Sequence, residues 1–155
     1  MDIKSCIKES FSVIGKEGST NDGDGFIQKL WEDANIHYNE IEALAKSDDK
    51  GNPVGFWGAM SDFSRTFKPW ENGLTKGLYL AGVEVKDGTE APQGWAKWTI
   101  PSQEYLYVKA DSEDILTSML NYLEEHGLKL AGAINDFLCP EENGQLYMFF
   151  PIRRL

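Results

Sequence analysis

The chain is poor in the residues that most directly advertise a chemistry, and each shortage closes off a class of function. Among 155 residues there are two cysteines, Cys6 and Cys139, far apart and in no Cys-x-x-Cys spacing. That pattern gives neither a disulfide-stapled scaffold nor a zinc site, and it suits a reducing, cytoplasmic setting. The only histidines, His37 and His126, have no second ligand at metal spacing, so no metal is expected. No phosphate-cradling glycine motif occurs and no cofactor is expected. Asn21-Asp22-Gly23-Asp24-Gly25 lacks the spaced ligands and closing glutamate of a calcium loop, and reads as a turn and helix cap. Apolar runs are no longer than strands. The start, MDIKSCIKES, lacks the basic, apolar and small-residue regions of a signal peptide, so neither a leader nor a membrane span is predicted. Basic residues are scarce and scattered: 15 Lys+Arg stand against 25 Asp+Glu, a formal charge of −10, with no cluster beyond Arg153-Arg154. Such a surface repels a phosphate backbone, which disfavours direct nucleic-acid binding.

What is present is one domain's worth of chain, 41% hydrophobic, that contains itself twice. WGAMSDF (Trp57 to Phe63) matches AGAINDF (Ala131 to Phe137), with Gly58/Gly132, Ala59/Ala133, Asp62/Asp136 and Phe63/Phe137 identical. An apolar strand follows each copy, Leu78 to Val83 and Leu146 to Phe150, both opening on Leu-Tyr. An amphipathic helical pattern precedes each, from about Gly25 to Ala45 and from about Ser112 to His126. Asp22 or Asp24 can cap the first helix, and Gly127 ends the second. Ahead of the helices stand β-rich runs, Phe11 to Ile14 and Glu104 to Val108.

The unit is therefore strand-helix-strand-strand, spanning about 8–86 and 102–155. The predicted fold is α+β: a curved antiparallel sheet in a single domain, two helices on one side and a central cleft where the halves meet. The stretch 86–101 between the repeats is rich in turn formers yet holds Trp95 and Trp98, and is read as an active loop.

Four of the five tryptophans (Trp57, Trp70, Trp95, Trp98) lie between positions 57 and 98, and Tyr79, Tyr105, Tyr107 and Tyr147 fall on predicted strands. Trp31 reads as helix core. The aromatics either fill the sheet core or line the cleft as a cage for flat or cationic organic molecules. Glu84 interrupts the apolar strand LYLAGVEV; it lies at a solvated edge, or it faces the cleft and handles a proton, a water or a cation there. Glu104 is a lesser candidate of the same kind, while Asp62 and Asp136 read as strand ends or turns.

Taken in order, GLYLAGVEV (Gly77 to Val85), the GW…IPSQEYLYV passage (Gly94 to Val108), YLEEHG (Tyr122 to Gly127) and LYMFFPIRR (Leu146 to Arg154) resemble the gyrase-inhibitor-like (GyrI-like) family. This family includes the effector-binding domains of AraC- and MerR-type regulators. The resemblance covers nearly the whole chain. It implies a tandem strand-helix-strand-strand fold whose cleft receives small organic molecules, often aromatic or cationic.

Two departures accompany it. The first repeat begins within about ten residues of Met1, so a stand-alone member without a DNA-binding domain is expected. Where many multidrug-binding members carry a ligand-facing glutamate, this chain has Asn135, followed by Asp136 and Phe137; Glu84 of the other repeat is the candidate replacement. The expected site comprises Trp57, Tyr79, Trp95, Trp98, Tyr107, Asn135, Phe137 and Tyr147 as ligand-binding residues and Glu84 as the catalytic or polar group.

Three functions follow from the resemblance: capture of aromatic xenobiotics, hydrolysis of the cyclopropane of DNA-alkylating natural products in the same cage, or a gyrase-inhibiting protein contact through the acidic surface. The expected partner is a small aromatic or cationic organic molecule, with no membrane and no nucleic acid.

Overall fold

A computed structural model describes all 155 residues. Eight strands form one antiparallel sheet: β1 (Lys4–Lys8), β2 (Phe11–Ser19), β3 (Phe56–Ser61), β4 (Leu78–Val85), β5 (Ala96–Ile100), β6 (Gln103–Lys109), β7 (Asn135–Cys139) and β8 (Gln145–Arg154). Two long helices, α1 (Phe26–Ile36) and α3 (Ile115–Glu125), cover one face, and α2 (Glu71–Leu74) is a single turn. No helix is long and apolar enough to cross a membrane.

The strand order β1-β6-β8-β7-β3-β4-β2-β5 contains the expected duplication. The triplet β2-β4-β3 with α1 mirrors β6-β8-β7 with α3, and the halves meet at a short seam where Phe56, Trp57 and Gly58 pair with Leu138, Phe137 and Asp136. The matching segments WGAMSDF and AGAINDF do not occupy equivalent places, however. WGAMS is strand β3, whereas 131–134 lead into β7 and only Asn135 onward is strand.

Each half also hands a strand to the other. β1, which leads into β2, pairs with β6; β5, which leads into β6, pairs with β2. The same register runs through both ladders, from Lys4↔Tyr107 to Gly15↔Ala96, interrupted only around Ser10 and Ser102. Pro101 offers no N–H to a ladder, and the Ser10 N–H instead donates to Ser102 Oγ (2.8 Å). Segments 4–19 and 96–109 are thus two long strands bent at one shared corner, which curls the sheet. The predicted active loop 86–101 is, over its second half, an edge strand.

Strand parity decides the rest. On β4, Leu78 and Leu80 join the concave face with Trp57, Phe11, Val13, Trp98, Tyr105, Tyr147 and Phe149. Val83 and Val85 face α1 with Ile14, Ala34 and Ile41, while Val108, Met119, Ile134 and Phe150 form the matching core beneath α3. Gly15 and Gly82 face each other across β2 and β4, and a Cβ on either would strike the backbone of the opposite strand. Their bareness lets the two strands approach closely as the sheet coils.

The first helix is shorter than its periodicity predicts. It ends at Ile36, and two 3-10 turns, Tyr38–Glu40 and Glu42–Leu44, carry the apolar spacing on to Ile41. Gly25, in a left-handed conformation, stands at its N-cap, and neither expected aspartate caps it. Asp22 instead accepts from the Ser19 N–H (2.8 Å) in the turn before it.

Candidate functional site

The concave face, which neither long helix covers but against which Phe63 and Phe67 pack, carries a continuous set of rings centred on the buried Trp57. Its indole lies 4.6 Å from Phe137, 4.8 Å from Phe11 and 5.3 Å from Phe149, centroid to centroid. Tyr107 stacks on Phe149 at 4.8 Å with planes 6° apart, and Tyr147 meets Tyr107 edge-on. Pairs at such separations gain roughly 0.5–1.5 kcal/mol beyond the area they bury. Phe137 and Phe149 stand between two hollows, each of about 310 Å³ and each lined by both rings.

In the first hollow the remaining walls are Trp57, Glu84, Val54, Lys8 and Lys46. Glu84 follows Leu80 and Gly82 on the concave side of β4, so of its two alternatives the inward one holds: its side chain is only 4% exposed. Its carboxylate accepts from Trp57 Nε1 (3.1 Å) and pairs with Lys8 Nζ (3.2 Å to Oε1) and Lys46 Nζ (3.7 Å to Oε2). A carboxylate this deep is sustained by such partners. Lys46 is held in place by its backbone, whose N–H donates to the Glu84 carbonyl at 2.8 Å. The Lys8 ammonium sits 4.4 Å from the Phe11 centroid and 5.6 Å from that of Trp57.

The second hollow is built from Lys4, Cys6, Tyr107, Tyr147 and Glu142 beside the shared phenyl rings. Tyr147 Oη donates to Glu142 (2.8 Å), a bond that raises the phenol's pKa to about 12 and lowers that of Glu142. Burial raises the Cys6 thiol above its ordinary value, the opposite of what a reactive thiolate needs.

Of the sequence-predicted residues, Trp57, Glu84, Tyr107, Phe137 and Tyr147 come together here. Trp98 shares the face at its far end, against Phe67 (5.9 Å), with its indole N–H donating to Glu17, which Arg65 also binds. Asn135 is buried at the seam, where its side-chain oxygen accepts from the Met60 N–H (3.1 Å) and so extends the strand pairing.

Tyr79 and Trp95 are corrections, since both lie on the helix-covered face. Tyr79 is opposite Met60, three residues and therefore one face away from Trp57. Its hydroxyl accepts from Trp31 Nε1 (3.1 Å) and donates to Asp136 (3.0 Å). It fits there because Gly58 has no Cβ to meet it. Desolvation raises the Asp136 carboxyl pKa to about 6. Trp31, read as plain helix core, and Asp136, read as a turn residue, are thus members of one network beneath the seam. Trp95 belongs to the α1 core, donates to Glu40 (3.0 Å), and carries Lys16 over its ring at 4.2 Å. Trp95 and Trp98 are three positions apart on an extended chain, so they face opposite ways.

Asp62 does organise a turn. Burial pushes its pKa up, but hydrogen bonds from Thr66 and Ser61 outweigh this and hold it below the ordinary value. Glu104 is an outer residue paired with Arg153 (3.0 Å). Sequence reasoning passed over Phe11, Phe149, Lys8 and Lys46. Phe149 was within reach, two residues after Tyr147 on one strand, but nothing local marks the lysines.

No protein-family model matches the chain, and no curated protein matches it in sequence. Solved structures do match in fold. SAV2435 bound to tetraphenylphosphonium aligns with a TM-score of 0.68 and 12% identity over 99% of this chain and 94% of that one. The EcmrR C-terminal domain aligns with a TM-score of 0.60 and 12% identity over the whole of both chains. A hydrolase from Listeria innocua aligns with a TM-score of 0.55 and 10% identity over 97% of this chain and 91% of that one. The fold is the gyrase-inhibitor-like one, with its curled eight-stranded sheet and its helices to one side.

Proposed function

We propose that a chain with this gyrase-inhibitor-like fold captures planar aromatic small molecules, of the kind met as xenobiotics, on its concave face between Trp57, Phe137 and Phe149. The observation that carries this reading is the pair of ring-walled hollows on the one sheet face that no helix covers. Preformed concave sites with apolar walls and a few placed polar groups are where small ligands bind. That a protein of the same fold was solved with tetraphenylphosphonium, a molecule of four phenyl rings, supports an aromatic ligand here.

Capture is favoured over cyclopropane hydrolysis by the state of Glu84. Both of its oxygens already have partners in Trp57, Lys8 and Lys46, so a reacting ring carbon or an attacking water would compete with two ammoniums for them. Titration with naphthalene-based ligands, followed by tryptophan fluorescence and calorimetry, tests the reading. Saturable quenching and heat that disappear in Trp57→Ala are expected. Absence of both with the wild-type chain overturns capture. Incubation with a spirocyclopropane alkylator should consume no more than one equivalent, and repeated turnover would move the reading to the hydrolase.

A further inference from the structure

We propose that the Glu84 hollow selects aromatic ligands carrying an anionic group, and that Lys8 sets this choice by occupying the place an organic cation would need. The inference rests on the capture reading above and names the class of ligand that site takes.

A cation bound in an aromatic cage wants ring faces and a buried counter-charge. Both are present, and the chain's own Lys8 uses both: its ammonium lies over Phe11 and Trp57 and within 3.2 Å of the Glu84 carboxylate. Lys46 adds a second ammonium on the other carboxylate oxygen. One glutamate and two lysines leave this hollow at +1, within a chain of net charge −10. An incoming organic cation therefore has to displace a tethered ammonium already solvated by the same rings and the same carboxylate. A planar carboxylate, phenolate or sulfonate meets no such competitor. Its ring lies against Trp57, Phe137 and Phe149, and its charge reaches the ammoniums at the rim.

The rim groups are accessible enough for that role. The Lys8 side chain is 28% exposed and that of Lys46 48%, whereas Glu84 beneath them is 4% exposed. The geometry also explains why an apolar hollow contains lysines at all. β1 directs Lys4, Cys6 and Lys8 to one side of the strand, and the first two line the neighbouring hollow.

Three ligands with one ring system separate charge from shape: 2-naphthoate, 2-naphthamide and (2-naphthylmethyl)trimethylammonium, titrated into the full chain by calorimetry. The wild-type chain should bind the naphthoate at least about tenfold more tightly than the ammonium, a difference of about 1.4 kcal/mol. The preference should shrink as salt is raised. Lys8→Met should reverse the order, weakening the naphthoate about tenfold and strengthening the ammonium by a similar factor as Glu84 is released. Lys46→Met should move both in the same directions by less, and it carries the test if Lys8→Met does not fold. Tightest binding of the ammonium to the wild-type chain, or an order unchanged in both variants, overturns the proposal and leaves aromatic capture standing. Binding of none of the three overturns both.

Discussion

The two hollows on either side of Phe137 and Phe149 have nearly the same volume and share two walls, yet they differ in how their acids are held. In one, Glu84 is buried with an indole N–H and two ammoniums around it. In the other, Glu142 lies at the surface and accepts chiefly from the Tyr147 hydroxyl, with the Cys139 thiol and the charges of Lys109 and Lys4 acting on it more weakly. The duplication supplies matching frames. Side chains from outside the mirrored strand triplets differentiate them, Lys8 from β1 and Lys46 from the loop after α1. A pseudo-symmetric fold can thus present two differently charged compartments on a single aromatic floor, one with a glutamate and two lysines, the other with a glutamate and one lysine.

The contrast breaks most severely at Trp57, which faces the first hollow only. Trp57→Ala should cost about 3–5 kcal/mol in denaturant-unfolding free energy, the usual penalty for deleting a buried aromatic, and should leave the Glu84 carboxylate without its indole donor. Tyr147→Phe in the second hollow should leave the melting temperature where it is.

Next in size is the network beneath the seam. Asp136 has a folded pKa raised from 3.8 to about 6, so folding favours its protonated form. Its contribution is full below about pH 4 and is lost as the pH rises towards 6, a decline on the order of 2–3 kcal/mol. Asp136→Asn should abolish that slope and be the more stable protein at pH 7. Urea-unfolding curves collected at several pH values would show it, and an unchanged slope would contradict the burial argument.

Glu84→Ala should cost about 2 kcal/mol, less than a fully buried pair would lose, because Lys8 regains water at the rim. Smallest is Glu142→Gln. Removing the negative acceptor should bring the ionisation of Tyr147 down from about 12 towards that of an ordinary phenol, read by ultraviolet titration, with no change in fold.

Much of the architecture was legible because period and repetition are properties of the chain itself. Two helical stripes, paired Leu-Tyr strands and the alternation through Glu84 led to the tandem unit, and the inward placement of Glu84 was one of the two alternatives they left. What stayed hidden depends on partners far away in sequence. KSCIK lacks a strand's apolar alternation because β1 is an edge strand with one face in water. The half of 86–101 that becomes β5 was read as loop because its pairing partner is β2, some eighty residues earlier. Tyr79 and Trp95 were grouped with the cleft by residue type, but three-residue steps on extended chain turn them to the other face. Lys8 and Lys46 join Glu84 only through the curl of the sheet and the return of the loop after α1.

The crossed edge strands make the two halves mutually incomplete. A backbone cut in the turn around Gly88 would leave β1–β4 and β5–β8 as separate polypeptides, each holding the strand its counterpart lacks. Neither piece could seal its own sheet, so the pair would be natural candidates for a split reporter that regains its fold only on reunion.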